Sequence, residues 1–279
     1  MRLDRAGIRR SFAAARHSSH TGMIMRLRTP VALGVLLLGL GACTQERLVQ
    51  GECRPVHGAD VCAWDRMAGN TLLAFGATIP MRVIDSAPAE APMTWPPVAA
   101  ATIPLSRAAQ SASGFDNITI FWEPHGHPPG PYLTPHFDFH FNTISAAELG
   151  AIDCADSTKP AQLPASYELP DVEIPGLGRL VGLCVPTMGM HSMPVAELHS
   201  TTPFEKTMVV GYYRGQPIFM EPMITSAALL ARHSFPLAVP QVPSGPANVR
   251  YPTRFVADFD STAHVFRFTF SDLGKSATP

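Results

Sequence analysis

The chain carries little charge and lacks most of the motifs that announce a reaction. Asp, Glu, Lys and Arg make up 15% of its 279 residues. No GxSxG, HExxH or GxxxxGK[ST] occurs, so the serine-hydrolase elbow, the zincin helix and the phosphate-cradling loop are excluded as motifs. No two cysteines have CxxC spacing, which removes the usual redox pair and the zinc knuckle. Asp116 and Glu123 lie seven apart and so fall on opposite faces of a strand, which argues against paired catalytic carboxylates. The apolar stretch Val31–Gly41 has 11 residues, whereas a membrane-spanning helix needs about 20. Positive charge is scarce as well. From Cys43 onward there are 14 basic and 21 acidic residues, a formal charge of −7, and a general nucleic-acid binder needs the opposite balance. What is plentiful is apolar residues, at 46%, and proline, at 28. The prolines run at roughly twice the usual 5% and are spread along the chain, which interrupts long helices and points to strands and loops.

Arg26 and Arg28 precede the apolar stretch and Ala42-Cys43 follows it, the layout of a signal peptide with small residues at the cut. The placement of Cys43 resembles the lipobox of bacterial lipoproteins, with Gly41 a tolerated residue of that box. The resemblance implies that Cys43 is diacylated and becomes the first residue of the mature chain. Thr44, rather than Asp, follows it, which in Gram-negative lipoproteins implies delivery to the outer membrane. The expectation is a cell-envelope protein, lipid-anchored at the periplasmic face of the outer membrane. An ordinary secretion signal cut nearby is the alternative. Residues 1–22 carry five arginines and no apolar block, which places the translation start at Met23 or Met25.

Four cysteines remain beyond Cys43, an even number in an oxidising compartment. Local pairing, Cys53 with Cys62 and Cys154 with Cys184, is the choice among three connectivities. Residues 43–70 read as a lipid-anchored tether ending in a disulfide loop, and 71–279 as one β-rich domain behind the 1–42 leader. Strands are expected at Thr71–Asp85, Phe115–Glu123, His136–Asn142, Leu177–Val185, Lys206–Tyr213 and Gln216–Met223, the last two joined by Arg214-Gly215 as a tight hairpin. Ser86–Gly114 reads as linker or irregular surface. Arg254–Asp260 and Ala263–Ser271 form a closing hairpin with His264, Phe266, Phe268 and Phe270 on one face. Ser145 with Glu148 matches a capping box, and Thr225 or Ser226 caps a second short helix. The expected fold is mainly β, a distorted barrel or sandwich with two short helices.

The segment His136-Phe137-Asp138-Phe139-His140-Phe141 alternates strictly, so His136, Asp138 and His140 share one face and the three phenylalanines the other. Asp138 lies roughly 6.5 to 7 Å along the strand from each histidine, and the two histidines roughly 13 Å from one another. Both reach one ion only if the strand bends; otherwise one ligates while Asp138 ligates or orients. A buried His-Asp hydrogen-bond network is the competing account. His191, in Met188-Gly189-Met190-His191-Ser192-Met193, adds an imidazole among thioethers, which suits Cu(I). Glu221 is a carboxylate at the end of an apolar strand and needs a partner there, either a His/His/Glu set or an arginine such as Arg214. His125 and His127 sit in a loop held open by proline and glycine and are candidates for proton transfer.

The blocks GHPPGPY, PHFDFHF, MGMH and PFEKTMVVGYYRGQPIFMEPMIT resemble, in that order, an uncharacterised family of secreted bacterial domains known from Thermus-type bacteria. PHFDFHF and EPMIT are the most distinctive. The resemblance covers roughly Phe115 to Leu230, implies a β-rich domain able to form homo-oligomers, and places His136, Asp138, His140, His191 and Glu221 on the family's motif positions; it implies no chemistry. The leading expectation is an envelope lipoprotein that binds a divalent metal, zinc before copper, through His191 with one or both of His136 and His140, completed or oriented by Glu221 or Asp138. The alternatives are a metal-dependent enzyme with an open water position, and a structural or oligomeric envelope protein without metal.

Overall fold

A computed structural model describes residues 45–92 and 94–274. Cys43 and the leader lie outside the described residues. The chain opens with three strands, β1 (Glu46–Val56), β2 (Ala59–Ala68) and β3 (Thr71–Pro80), and a helical turn α1 (Met81–Asp85). There follow β4 (Ala101–Pro104), α2 (Arg107–Ser113), β5 (Asn117–Glu123), β6 (His136–Asn142) and α3 (Ala146–Gly150). The middle of the chain supplies short elements: β7 (Tyr167–Glu168), β8 (Val172–Ile174), β9 (Gly178–Leu180), β10 (Met190–Pro194) and α4 (Val195–Leu198). The last part comprises β11 (Lys206–Tyr213), β12 (Gln216–Thr225), α5 (Ser226–Leu230), β13 (Phe235–Leu237), β14 (Pro252–Asp260) and β15 (Val265–Leu273).

These strands make a six-stranded sheet in the order β1-β2-β3-β15-β14-β13, a seven-stranded sheet in the order β4-β5-β6-β12-β11-β10-β7, and the small hairpin β8-β9. The two large sheets pack face to face. Phe139 of β6 meets Phe268 of β15 edge-on at 4.8 Å, and Phe141 meets Phe270 in the same way at 4.8 Å. Phe137, Phe139 and Phe141 are all fully buried in this shared core, and each such side chain contributes about 1.5–3 kcal/mol. The alternation of β6 thus spends its phenylalanines on the sandwich interior and turns its polar side chains to the opposite face. Neither sheet closes on itself, so the fold is a sandwich and the barrel expectation is set aside.

Local signals set the element ends. Ser145 Oγ accepts from the Glu148 N–H at 3.3 Å while the Glu148 carboxylate accepts from the Ser145 N–H at 2.8 Å, a complete capping box. Thr225 caps α5 by accepting from the Ala228 N–H. Arg214 and Gly215, at φ 50° and 72°, form the hairpin turn between β11 and β12, both in the left-handed region such turns need. Cys53 pairs with Cys62 and Cys154 with Cys184.

Five expectations are corrected. Residues 46–68 are no tether but the long hairpin β1-β2, integral to the six-stranded sheet. Ser86–Gly114 contains β4 and α2, the latter capped by Ser106 and ended by Gly114 at φ 79°. Leu177–Val185 is strand only over β9; a 3-10 turn with Gly182 at φ 62° follows it. The described residues hold five short helices where two were expected, and His264 lies exposed in the β14-β15 turn instead of beside Phe266.

Candidate metal centre

Directly opposed residues of antiparallel strands point to the same side, and the register of the seven-stranded sheet therefore decides which groups meet on its outer face. Glu123 of β5 lies opposite His136, and Phe121 opposite Asp138. On the other side of β6, Asp138 faces Met223 of β12 and Phe141 faces Met220, which sets Glu221 across from His140. Phe219 faces Gly211 of β11, and Gly211 faces His191 of β10. One patch four strands wide thus collects every residue singled out from β6, β10 and β12.

The patch contains two groups. His140, His191 and Glu221 form one, with a ligand atom from each within 4.8 Å of the others; Nε2 of His140 is 3.5 Å from Oε2 of Glu221. His127, His136 and Asp138 form the second under the same limit, with Nε2 of His136 3.2 Å from Oδ1 of Asp138 and Nε2 of His127 3.9 Å from Oδ2. His136 and His140 do not converge: they belong to separate groups, and the pairing of β6 with β5 runs without a bulge between them. His127 joins the second group from the Pro-rich loop that folds back over the strand. His125 does not: it is half-exposed and sits 3.1 Å from the exposed Glu90.

Burial makes the patch costly unless its charges are compensated. His136, Asp138, His140, His191 and Glu221 are each no more than 6% exposed. Burial, reinforced by neighbouring His140, pushes His191 down to about 3, leaving a neutral imidazole. Burial pushes Glu221 up to about 7, against the pull of His140. Burial also opposes ionisation of Asp138, but His136 beside it outweighs this and holds the carboxyl below the usual range, while His136 itself is raised by the same contact.

Backbone carbonyls orient three of the rings. Nδ1 of His191 lies 3.0 Å from the Leu183 carbonyl, Nδ1 of His136 2.6 Å from that of Thr134, and Nδ1 of His127 2.9 Å from that of Pro128. A carbonyl only accepts, so each Nδ1 donates and each Nε2 is turned toward the group. This is the outer support that metal-ligating imidazoles use. Phe219 spaces the inner group, its ring stacked on His140 at 4.3 Å and against His191 at 5.2 Å. It fits there because Gly211 has no side chain: a Cβ at that position would lie 1.9 Å from the Phe219 ring. A bulge between β11 and β12 falls at the same place, as bulges beside functional sites do.

Asp138, Glu221, His127 and His191 line a common cavity of about 60 Å³ together with Met188, Met193 and Met223, room for a few waters. Met190, by contrast, points into the inter-sheet core. The cavity shares Trp95, Glu123, His127 and Ile174 with an outer cleft of about 360 Å³. Glu123, which sequence reasoning dismissed, borders both; burial and the nearby Asp138 raise it to about 7. Only its cross-strand position opposite His136 could have revealed it. Comparison of the chain with protein-family models, with curated proteins and with solved structures finds no match in any of the three.

Proposed function

We propose that this chain is a lipid-anchored envelope protein that binds a divalent transition metal at His140, His191 and Glu221. The observation that carries the reading is the meeting of two buried imidazoles and one buried carboxylate from three strands, with Oε2 of Glu221 lacking any hydrogen-bond partner. A nitrogen and oxygen donor set of this kind suits zinc first. Copper(I) is the competing ion, because Met188, Met193 and Met223 line the same cavity and thioethers are soft donors. PHFDFHF and EPMIT contribute four of the six grouped side chains, so the blocks that carry the resemblance are also the ones that supply most of the site.

The test is metal content. Protein purified from rich medium should carry transition metal that His140→Ala and His191→Ala lose; a chain with almost none, unchanged in those variants, overturns the reading. For the anchor, labelled palmitate should enter wild-type protein and not Cys43→Ser. Equal labelling of both removes the lipid from the proposal. A metal-dependent enzyme is the second reading, favoured by the cavity and the adjoining cleft, which leave space for water and a ligand beside the donors.

A further inference from the structure

We propose that His127, His136 and Asp138 hold a second divalent ion, at the outer end of the same cavity. The count of two rests on the inner site described above, but the second ion is carried by a separate set of side chains. With the Nδ1 atoms of His127 and His136 donating to backbone carbonyls, the Nε2 atoms of the neutral rings present lone pairs. These face the two oxygens of one carboxylate, Oδ1 of Asp138 at 3.2 Å from His136 and Oδ2 at 3.9 Å from His127. Acceptor is set against acceptor. Neither Nε2 of His136 nor Oδ1 of Asp138 has a partner with hydrogen-bond geometry, although the two residues are 0% and 4% exposed.

A proton on His136 relieves one of these contacts in the metal-free chain. A dication relieves all of them together. Four ligands at 2.0–2.1 Å around zinc stand about 3.3 Å apart along each edge of the tetrahedron, and the His136–Asp138 separation matches that edge. The outer site also differs from the inner one in access. His127 has 30% of its side chain exposed and stands where the cavity meets the cleft, so water completes the coordination and the ion exchanges with solvent.

The loop that brings His127 there is tightly built. The His127 N–H donates to the Tyr132 carbonyl at 3.2 Å. Gly126, at φ 66°, lies so close that a Cβ would come within 2.2 Å of the same oxygen. The ring is therefore placed by its backbone and not by chance rotation of a surface side chain. Glu123, opposite His136 on β5, adds a second carboxyl beside the ion.

Chelator-stripped full-length chain titrated with Zn²⁺, with bound metal counted after gel filtration, tests this. Wild type should bind two equivalents, and His127→Gln and Asp138→Asn one each. His191→Gln should also bind one, and the His127→Gln/His191→Gln pair none. One equivalent in wild type, or two in His127→Gln, overturns the outer site. If His191→Gln matches wild type while His127→Gln loses an equivalent, the inner site is wrong and the outer one stands. His127 lies on a loop, so its replacement leaves the sandwich core intact; circular dichroism of the metal-free variants checks that the count reflects ligands and not unfolding.

Discussion

Nε2 of His140 lies 3.5 Å from Oε2 of Glu221, with both side chains 2% exposed. If this were a structural ion pair, removing one charge would destabilise the fold by about 3–5 kcal/mol. A ligand pair behaves differently when metal is absent, because Glu221 is then a buried carboxyl whose charge nothing needs. Glu221→Gln keeps the shape and removes the charge. It should leave the metal-free protein as stable as wild type or about 1 kcal/mol more so, a rise of roughly 2–4 °C in Tm, while reducing the rise in Tm that Zn²⁺ gives wild type to the part supplied by the outer group. Paired melts with chelator and with zinc read both effects. A large loss in chelator would identify the pair as structural.

Gly211 is the position on which the geometry of the inner group depends. Gly211→Ala puts a methyl group where the edge of the Phe219 ring lies, and Phe219 is the ring against which both His140 and His191 pack. Overpacking of this kind costs about 1–3 kcal/mol. Urea unfolding of metal-free protein should show that loss. Zinc affinity should fall about 10-fold or more, as it does when the shell behind the ligands is disturbed. Val210→Ala, one residue away but facing the inter-sheet core, should destabilise without weakening zinc beyond the change in stability.

The parts of this molecule that were legible in the sequence are those decided by neighbours in the chain. Strand β6, the Arg214-Gly215 turn, the Ser145 capping box and the Thr225 cap follow from alternation and local hydrogen bonding. So does the choice of which β6 residues face away from the sandwich. The partition of the site into two groups was not legible, since it depends on which strands neighbour β6: Glu221 reaches His140 through β12 and His191 arrives from β10, two strands further on. The sequence offers His127 only as a proton carrier, because nothing local says that the Pro-rich loop folds over His136. Residues 46–68 read as a tether because an edge hairpin with many exposed side chains, as β1 has, shows little of the regular alternation that marks a half-buried strand.

The two disulfides should differ in what they do to metal binding. Cys154–Cys184 closes a 30-residue separation, and the chain-entropy estimate for such a loop is about 3–4 kcal/mol. Cys184 is also the residue after Leu183, whose carbonyl orients His191. Cys154→Ser/Cys184→Ser should therefore lower both stability and zinc affinity. Cys53–Cys62 joins directly opposed residues of the β1-β2 hairpin in the six-stranded sheet, whereas His191 lies on β10 of the seven-stranded one. Cys53→Ser/Cys62→Ser should lower stability and leave zinc affinity as it is. Calorimetric titration of the two double variants separates these outcomes.

Asp171 holds the same segment by charge. Its carboxylate accepts from the Gly182 N–H at 2.7 Å, from Lys159 Nζ at 2.8 Å and from Arg179 Nη2 at 2.6 Å. The bond from Lys159, then those from Gly182 and Arg179, keep the carboxyl well below its usual range. A pKa depressed by folding stabilises the fold above the unfolded value, about 3.9, and that contribution is lost as pH falls from there through the lower folded value. Lys159 and Arg179 are exposed enough for solvent to screen them, so the backbone contact to Gly182 carries most of the effect. Asp171→Asn should thus destabilise the metal-free protein by about 1–2 kcal/mol at pH 7. The gap from wild type should narrow below pH 4, as the unfolded wild-type carboxylate takes up a proton that the folded one still resists. Through Gly182 and Leu183 the same change should weaken zinc about 10-fold without altering how many ions bind. Urea midpoints at pH 7 and pH 3 decide the first point, and a gap that stays constant between them would show that Asp171 holds the segment by packing instead of charge.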